Sequence, residues 1–428
     1  MLRCLQFVVL LSISYVPLVS AQSLEEAIKT TLKTNPDVLV SEYNVNAAEQ
    51  LHRQSKGAYL PSLDVVIAGG RESSNNTTTR ALGRDDLKLT RAERSIRVTQ
   101  LLFDGAATIN FVKQQSALAD SALSRLASAR ENIGLRAIQV YLESLRRDEV
   151  VRLAEENLGH HEETLGKITE RFESGVGTKV DVVQTRGRRA QAKSNVLLSQ
   201  RESKNGIAEF YRVVGEYPES LELPAAVQGL PETLEQALEI ALKQNPAIKA
   251  AASDLDAAAA ARKSAKGSFF PRFDLELGAT RNDDTDGSLG ANDDETAVVR
   301  MTYNIYRGGA DRARLNEAEA REFASREALK STHRAVEEDV TLIWNELQDI
   351  LIRLEYLDAH VKSTEEVLVV YREQLTLGKR TLLDLLDVQN ELLRAQIAKI
   401  SGDHIVLLAR YRVLASTGQL LDTIGLDE

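Results

Sequence analysis

Two aspartates near the C-terminal end of the chain have the spacing of a functional carboxylate pair. Asp384 and Asp387 interrupt the leucine-rich stretch TLLDLLDVQNELL, residues 381–393. Residues three apart in a helix lie on one face, about one turn apart. A helix here therefore has an acidic face, which either serves a function or is only the solvated start of the helix.

Helix capping is one explanation of this acidic face. Thr381 precedes Asp384 by three residues, as in a capping box, and an acidic residue in a first turn suits the helix dipole. Thr178 and Asp181 repeat that spacing earlier in the chain. Capping therefore explains part of both pairs.

Other residues that could do chemistry give weaker signals. The segment GVGTK (175–179) lacks the spacing of a phosphate-binding loop, and no buried strand precedes it. Adjacent histidines, His160 and His161, point to different faces of a helix, which disfavours a shared metal site. We therefore predict that the protein is not an enzyme and has no metal site and no cofactor.

Composition and the first residues restrict location and partners. A formal net charge of −10 and 5% aromatic residues give no basic, aromatic-rich surface, so nucleic acid is not a predicted partner. Residues 1–21 have the order of a secretory signal peptide: Arg3, an apolar run and small residues before a cleavage site near Ala21. Cys4, the only cysteine, lies inside this segment. No later segment has the ~18 consecutive apolar residues of a transmembrane helix.

The chain is a duplication. The segment SLEEAIKTTLKTNP (23–36) is similar to TLEQALEIALKQNP (233–246), and ESGVGTKVDVVQ (173–184) is similar to TLGKRTLLDLLD (376–387). We predict two structural repeats of one fold, separated by a linker. The predicted boundaries are a first repeat at 22–214, a linker at 215–232 and a second repeat at 233–428.

The two repeats differ at the positions that surround the acidic face. Asp387 has Gln184 as its counterpart, so capping does not explain it. Arg380 has Gly177 as its counterpart. The second repeat therefore carries charges that the first lacks.

Long helices are predicted in both repeats. No proline lies between residues 62 and 217 or after Pro271, and proline is the strongest breaker of helix interiors. Residues 106–172 and 309–375 are predicted to be helical, each roughly 100 Å long. Both end at glycine turns, which contain Gly175, Gly177 and Gly378, and a second long helix follows each turn.

Strand-like segments precede each long helix. They lie near 63–71 and 94–103 in the first repeat, and at 272–280 and 298–306 in the second, with polar loops at 73–88 and 282–295. An apolar face opposite a charged face fits membrane strands with a wet lumen, although a half-buried soluble hairpin has the same pattern. Four strands cannot stand in a bilayer with unpaired edges. Membrane strands would therefore require a closed oligomer.

These features together resemble the TolC-like outer-membrane efflux family. The motifs that carry the resemblance are those at the start of each repeat, FFPRFDLEL (269–277), RFESGVGTKVDVVQ (171–184) and YREQLTLGKRTLLDLLDVQNEL (371–392). The resemblance implies a mainly α fold in which α-helical hairpins form a periplasmic tunnel and four strands per chain close as a twelve-stranded β-barrel in a homotrimer. It also implies the outer membrane and its lipid as the location, and a periplasmic adaptor (membrane fusion) protein as a partner.

The resemblance also implies roles for residues at the glycine turns. In the family these turns form the periplasmic tip, where the adaptor docks, so Gly175, Gly177 and Gly378 are predicted tip and adaptor-contact positions. Asp384 and Asp387 match two stacked rings of carboxylates at the pore constriction, and such rings favour cations. The same network in the family includes a gating latch.

The latch implied by the family links an arginine to an aspartate of the neighbouring hairpin. Here these residues are Arg380 and Asp181. The tyrosine that the family has in this network is missing, because Leu375 stands at its position. The closed tip is therefore predicted to be looser, or to be built differently.

The leading function is a passive exit duct for type I protein secretion, which serves an inner-membrane ABC transporter. The segment GKRTLLDLLDVQNEL (378–392) resembles the agglutination and adhesin export subgroup. A multidrug-efflux duct of the same fold stays open as an alternative, and so does a periplasmic coiled-coil scaffold without a pore.

Overall fold

The computed structural model describes residues 22–225 and 227–426. The predicted signal peptide lies outside the described residues. The first half contains, in order, α1 (Leu24–Thr34), α2 (Pro36–Lys56), β1 (Ser62–Ser74), α3 (Thr77–Ala81), β2 (Leu87–Phe103), α4 (Ala107–Glu173) and α5 (Lys179–Val214). The second half contains α6 (Leu234–Gln244), α7 (Pro246–Ala265), β3 (Arg272–Asp283), β4 (Ala291–Thr302), α8 (Ala310–Thr376), α9 (Leu382–Thr417) and α10 (Leu420–Ile424). Short 3₁₀ turns at Gly57–Tyr59 and Lys266–Phe269 precede β1 and β3.

The two long helices have the predicted length. Both α4 and α8 contain 67 residues, and each begins and ends one residue later than predicted. They begin after residues in the left-handed region, Ala106 and Gly309, because the chain turns sharply from strand to helix there. Their second helices, α5 and α9, contain 36 residues each.

Two helical hairpins form the long body of the chain. The first hairpin is α4 with α5, and the second hairpin is α8 with α9; α4 also lies against α9 and thereby joins them. The narrow apolar stripe of α8, which includes Val340, Ile343 and Leu347, is buried. Narrow stripes of this kind are typical of helices packed as in coiled coils.

The largest apolar core lies where the short helices meet the hairpins. It contains Tyr141, Phe210 and Leu414, all fully buried, packed against α1 and α10. The Tyr141 hydroxyl lies 2.8 Å from the carbonyl oxygens of Gln22 and Glu222 and accepts a hydrogen bond from the Glu222 N–H. This side chain therefore ties the start of the described chain and the linker between the repeats to α4.

The four strands form one antiparallel sheet in the order β1-β2-β3-β4. Residues that pair directly across two strands lie on the same face of the sheet. Val65 pairs with Ile96, Ile96 with Ala279, and Leu275 with Val299. One face therefore carries a continuous apolar surface across all four strands. It includes Leu63, Val65, Ile67, Ile96, Leu275, Leu277, Val299 and Met301.

No part of the described chain covers this apolar surface. Val65, Ile67 and Val299 are 61%, 76% and 60% exposed. The opposite face is polar, and Glu276 and Arg300 form two hydrogen bonds there, of 2.6 and 2.8 Å. A half-buried soluble hairpin would hide its apolar residues against its own core, so this sheet is not one.

The fourth strand begins and ends earlier than predicted. The sequence predicted a loop at 282–295 and a strand at 298–306, whereas β3 extends to Asp283 and β4 covers Ala291–Thr302. The acidic start of β4 pairs in register with the end of β3, where Arg281 lies opposite Asp293. The strand ends at Thr302 because its partner Arg272 is the first residue of β3, after Pro271, which has no N–H. Residues 303–306 therefore lie outside the sheet.

The loop predicted at 73–88 also contains more structure than expected. It holds the short helix α3, which Asn76 caps by accepting hydrogen bonds from the N–H groups of Thr78 and Thr79. Within residues 22–225 and 227–426, none of the helices has the length and apolar content to cross a membrane.

Candidate functional site

The two glycine turns have the same backbone. We call residues 174–184 the first tip and residues 377–387 the second tip; each contains a glycine turn and the first turns of the helix that follows it. In the first, the Val176 N–H donates to the Arg171 carbonyl at 2.9 Å; in the second, the Lys379 N–H donates to the Gln374 carbonyl at 2.8 Å. These are the bonds of a Schellman motif, in which the residue after the helix end adopts a positive φ.

Glycine meets that requirement in both tips. Gly175 has a φ of +79° and Gly378 a φ of +68°, a region that side chains with a Cβ rarely adopt. Gly177 is needed for a different reason: a Cβ there would lie 2.9 Å from the backbone nitrogen of Phe172. The first tip therefore closes more tightly against its own helix than the second.

Both second helices begin with a complete capping box. Thr178 and Asp181 cap α5, and Thr381 and Asp384 cap α9, with each hydroxyl accepting from the aspartate N–H. The Asp384 carboxylate also accepts from the Thr381 hydroxyl at 2.8 Å and lies 3.2 Å from the Thr381 N–H. Within the single chain, Asp181 and Asp384 are thus both helix-capping residues, as the capping explanation predicts.

These hydrogen bonds keep Asp384 charged. The bond from the Thr381 side chain, followed by that from the Thr381 backbone and the nearby Arg380, holds the pKa of Asp384 below its usual range. Hydrogen bonds to a carboxylate favour its ionised form. A capping aspartate is therefore also a fixed negative charge at the second tip.

Asp387 has a partner that sequence reasoning missed. Its carboxylate accepts a hydrogen bond of 2.6 Å from Arg188, which lies on α5 of the first hairpin. The Asp387 side chain is 58% exposed and that of Arg188 is 38% exposed, so the pair is open to solvent. This ion pair bridges the two hairpins, and no sequence signal could have identified it, because it depends on how α5 and α9 lie across α4.

Arg380 does not contact Asp181 within the chain. Its Nε donates to the Gln374 side chain at 3.1 Å, its guanidinium lies 4.4 Å from the centroid of the Tyr371 ring, and it approaches Asp384 to 3.9 Å. The side chain therefore folds back onto its own hairpin. Asp181 uses its carboxylate for the cap of α5. The predicted latch stays a prediction about contacts between hairpins of an assembly.

Apolar contacts hold the two hairpins together next to the tips. Leu375, which the sequence predicts at the position of the family tyrosine, packs against a buried cluster formed by Ile168 and Val182 of the first hairpin and Leu382 and Leu386 of the second. Burial of such side chains contributes roughly 1.5–3 kcal/mol each. An exposed ion pair contributes only ~0–1 kcal/mol. Near the tips, packing therefore stabilises the chain more than the Arg188–Asp387 pair does.

A polar layer interrupts this packing one to two turns further from the tips. His161 on α4 is fully buried, and neither ring nitrogen has a partner with hydrogen-bond geometry among the described residues, although the Asn390 side chain lies close enough to raise its pKa. Gln389 on α9 donates to the Thr164 hydroxyl at 3.3 Å, but its carbonyl oxygen has no partner there. Burial, the largest cause, lowers the pKa of His161, so this imidazole is neutral at pH 7.

The site therefore consists of exposed carboxylates on a capped helix start. Beside them lies the packed interface between the two hairpins, which we call the seam and which is only partly apolar. The described residues contain no group of His, Cys, Asp and Glu side chains with the arrangement of a metal site. What this arrangement can do is present fixed negative charge to solvent at the end of a long hairpin.

Comparison with known proteins places the chain in one family over most of its length. Residues 27–216 and 237–419 match the family described as outer membrane efflux protein. The chain is 26% identical to the outer membrane efflux protein BepC of Brucella suis, over 95% of this chain and 88% of that protein. It is 22% identical to the alkaline protease secretion protein AprF of Pseudomonas aeruginosa, over 90% of this chain and 82% of that protein.

Solved structures share the fold. A membrane protein from Pseudomonas aeruginosa superposes with a TM-score of 0.83 at 20% identity, covering 92% of this chain and 90% of that one. The family match excludes the alternative of a periplasmic scaffold without a pore. It also confirms the predicted fold class and location. The chain belongs to the outer membrane efflux protein family, the TolC-like channels of the outer membrane.

Proposed function

We propose that the chain forms a homotrimer whose twelve strands close a β-barrel and whose hairpins form a periplasmic tunnel. The observation that supports this is the uncovered sheet: β1 and β4 are free edges, and one face is apolar and exposed from edge to edge. Unpaired strand edges are not stable in a bilayer. Pairing β4 of one chain with β1 of the next satisfies both edges at once.

In this assembly the second tip forms the constriction. Asp384 and Asp387 of the three chains face one another as two carboxylate rings, and Arg380 of one hairpin reaches Asp181 of its neighbour. Gly175, Gly177 and Gly378 are the exposed turns at which an adaptor docks. The folded-back Arg380 of the single chain is compatible with this role, because its contacts with Gln374 and Asp384 are weak and exposed.

The substrate class proposed is a protein exported by an inner-membrane ABC transporter with a periplasmic adaptor. Two observations support it: the sequence GKRTLLDLLDVQNEL at the second tip, and the relationship over most of the chain to a protein named for alkaline protease secretion. Drug efflux is the second candidate, because BepC, which shares more identity with this chain, is named an efflux protein.

Deleting the gene separates these two candidates. We expect one or more proteins to disappear from the culture medium, while the inhibitory concentrations of small toxic compounds stay the same. Complementation with the wild-type gene should restore secretion. Unchanged secretion together with hypersensitivity to small compounds would contradict the secretion proposal and favour drug efflux.

A further inference from the structure

A groove with an unusual lining lies beside the Arg188–Asp387 pair. It has a volume of about 670 Å³ and is formed by α4, α5 and α9. Asn390 and Arg394 line it, one and two helical turns beyond Asp387 on α9, and Arg188 lines it from α5. A volume of this size is within the range of small-molecule sites, which is ~300–1,000 Å³.

The floor of the groove is apolar. Val150 and Ala154 of α4, Leu198 of α5, and Leu393 and Ile397 of α9 line it. Ala154 and Leu393 are buried, whereas Leu198 is 51% exposed and therefore accessible from solvent. A hydrocarbon chain placed along this floor would remove apolar surface from water.

The cations of the groove are not equally available. Arg146 and Arg147 both bind Glu143, at 2.6 and 2.8 Å, and Arg147 also binds Glu209. These two guanidiniums are neutralised by partners that do not depend on the second hairpin.

Arg188 and Arg394 are different. Arg188 has Asp387 as its only ion-pair partner in the described part of the chain, and Arg394 makes no ion pair or hydrogen bond to the described residues. The one carboxylate that lines the groove, Glu202, is bound to Arg201 at 2.7 Å. One guanidinium is therefore free and a second is held by an exposed, exchangeable pair.

We propose that this groove binds amphipathic anions, with the acidic head on Arg394 and Arg188 and the apolar body on the floor. A small inorganic anion would leave the floor exposed to water. A neutral hydrocarbon would leave Arg394 without a partner. Only a molecule with both parts matches both features of the lining.

Binding at this groove is coupled to the tips. The acidic head competes with Asp387 for Arg188, so a bound anion weakens the ion pair that bridges the hairpins. Coupling of this kind is reciprocal: a substitution that removes the Asp387 charge and leaves Arg188 in place must strengthen anion binding. The effect on the pore rests on the proposed function, in which Asp387 lines the constriction, whereas the binding itself does not.

The test uses the full-length protein in lipid nanodiscs and octyl sulfonate as the probe. Isothermal titration calorimetry, with empty nanodiscs as the blank, is expected to show one site per chain. Methanesulfonate has the same head without the chain and should bind weaker by on the order of 100-fold, since each buried methylene contributes to affinity.

Three variants locate the site. Arg394→Gln should weaken octyl sulfonate binding by about tenfold or more, through loss of a charge-assisted hydrogen bond. Asp387→Asn should strengthen binding, because Arg188 loses its competitor. Arg189→Gln is the matched control: Arg189 is the next residue of α5, pairs with Glu162 and does not line the groove, so binding should not change.

Equal binding by wild type and Arg394→Gln, or equal binding of methanesulfonate and octyl sulfonate, would overturn the proposal. Weaker binding by Asp387→Asn would overturn the coupling to the tips. Absence of any binding in a protein that still conducts ions would remove this site and leave the proposed channel function intact.

Discussion

The two tips share one backbone and differ in charge. Both have a Schellman turn with a glycine at positive φ, and both start the next helix with a Thr–Asp capping box. The first tip has Gly177 and Gln184 where the second has Arg380 and Asp387. The residues that both tips share form the turn and the helix cap, whereas Arg380 and Asp387 give the second tip charges that the first lacks.

The residues that shape the turn can therefore be distinguished from those that give the second tip its charge. Asp181 and Asp384 have the same capping geometry, so capping alone cannot distinguish the tips. Arg380 and Asp387 lie outside the capping boxes, and both side chains are exposed. We therefore expect the loss of a charge at the second tip, or of the proposed latch partner Asp181, to change conduction. A disturbed turn backbone, as at Gly177, should change stability.

The largest effect is expected from the proposed latch. Arg380→Ser should raise single-channel conductance in lipid bilayers several-fold, because the link to Asp181 of the neighbouring hairpin is lost. Asp181→Ala should give the same increase, and the double variant should add little. Trimer yield should not change, because Arg380 packs against no buried cluster. Wild-type conductance in both single variants would show that closure depends on other contacts.

A smaller increase is expected from the ion pair between the hairpins. Arg188→Gln and Asp387→Asn should each raise conductance, but only slightly, because an exposed ion pair contributes only ~0–1 kcal/mol. The two effects should be non-additive, because the same pair is lost in either variant. Arg189→Gln, whose partner Glu162 lies on the same hairpin, should conduct like wild type. Strictly additive effects would argue against a coupled pair.

Acidic pH should act through His161. Its pKa is lowered from the ordinary value of about 6.5, chiefly by burial, with His160 and Arg188 adding positive charge and Asn390 opposing them. If the hairpins separate, the His161 imidazole therefore binds a proton that it does not bind while the hairpins are packed together. The stability of the seam is complete above pH ~6.5 and decreases as the pH falls toward the lowered pKa.

The readout is the conductance of the same channels at pH 7.5 and pH 5.5. Wild type should open more at the lower pH, and His161→Leu should lose this dependence. His160→Gln tests the neighbouring imidazole, which is half-buried on α4 and whose pKa is also lowered, chiefly by burial. This variant should keep most of the wild-type dependence on pH. An equal response of wild type and His161→Leu would exclude the buried imidazole as the cause.

The smallest effect on conduction is expected at Gly177. Gly177→Ala places a methyl group 2.9 Å from the Phe172 backbone nitrogen and should lower the free energy of unfolding by about 1–3 kcal/mol. Gly187→Ala on α5 meets no atom within 4 Å and should be neutral or slightly stabilising. Thermal unfolding measures both, and we expect single-channel conductance to stay at the wild-type value. A changed conductance would show that the turn at Gly177, and not only Asp181, affects the gate.

Much of the fold could be predicted from local signals. The absence of proline, the glycine turns and the Thr–Asp spacings each act within a few residues, so they identified the long helices, both tips and both caps. The end of β4 was missed because it depends on Arg272 in another strand. Arg188 and Tyr371 were missed for the same kind of reason: their contacts with Asp387 and Arg380 exist only after the helices have packed.

The measurement that tests the central claim most directly is the reversal potential in a salt gradient, for wild type and for Asp384→Ala/Asp387→Ala. If the second tip forms the constriction, the double variant loses cation preference and is no longer blocked by an added trivalent cation. Thr381→Ala removes the cap of α9 but keeps both carboxylates, so it should keep the wild-type reversal potential. The same reversal potential in wild type and the double variant would contradict the account and leave Asp384 and Asp387 as the start of a helix.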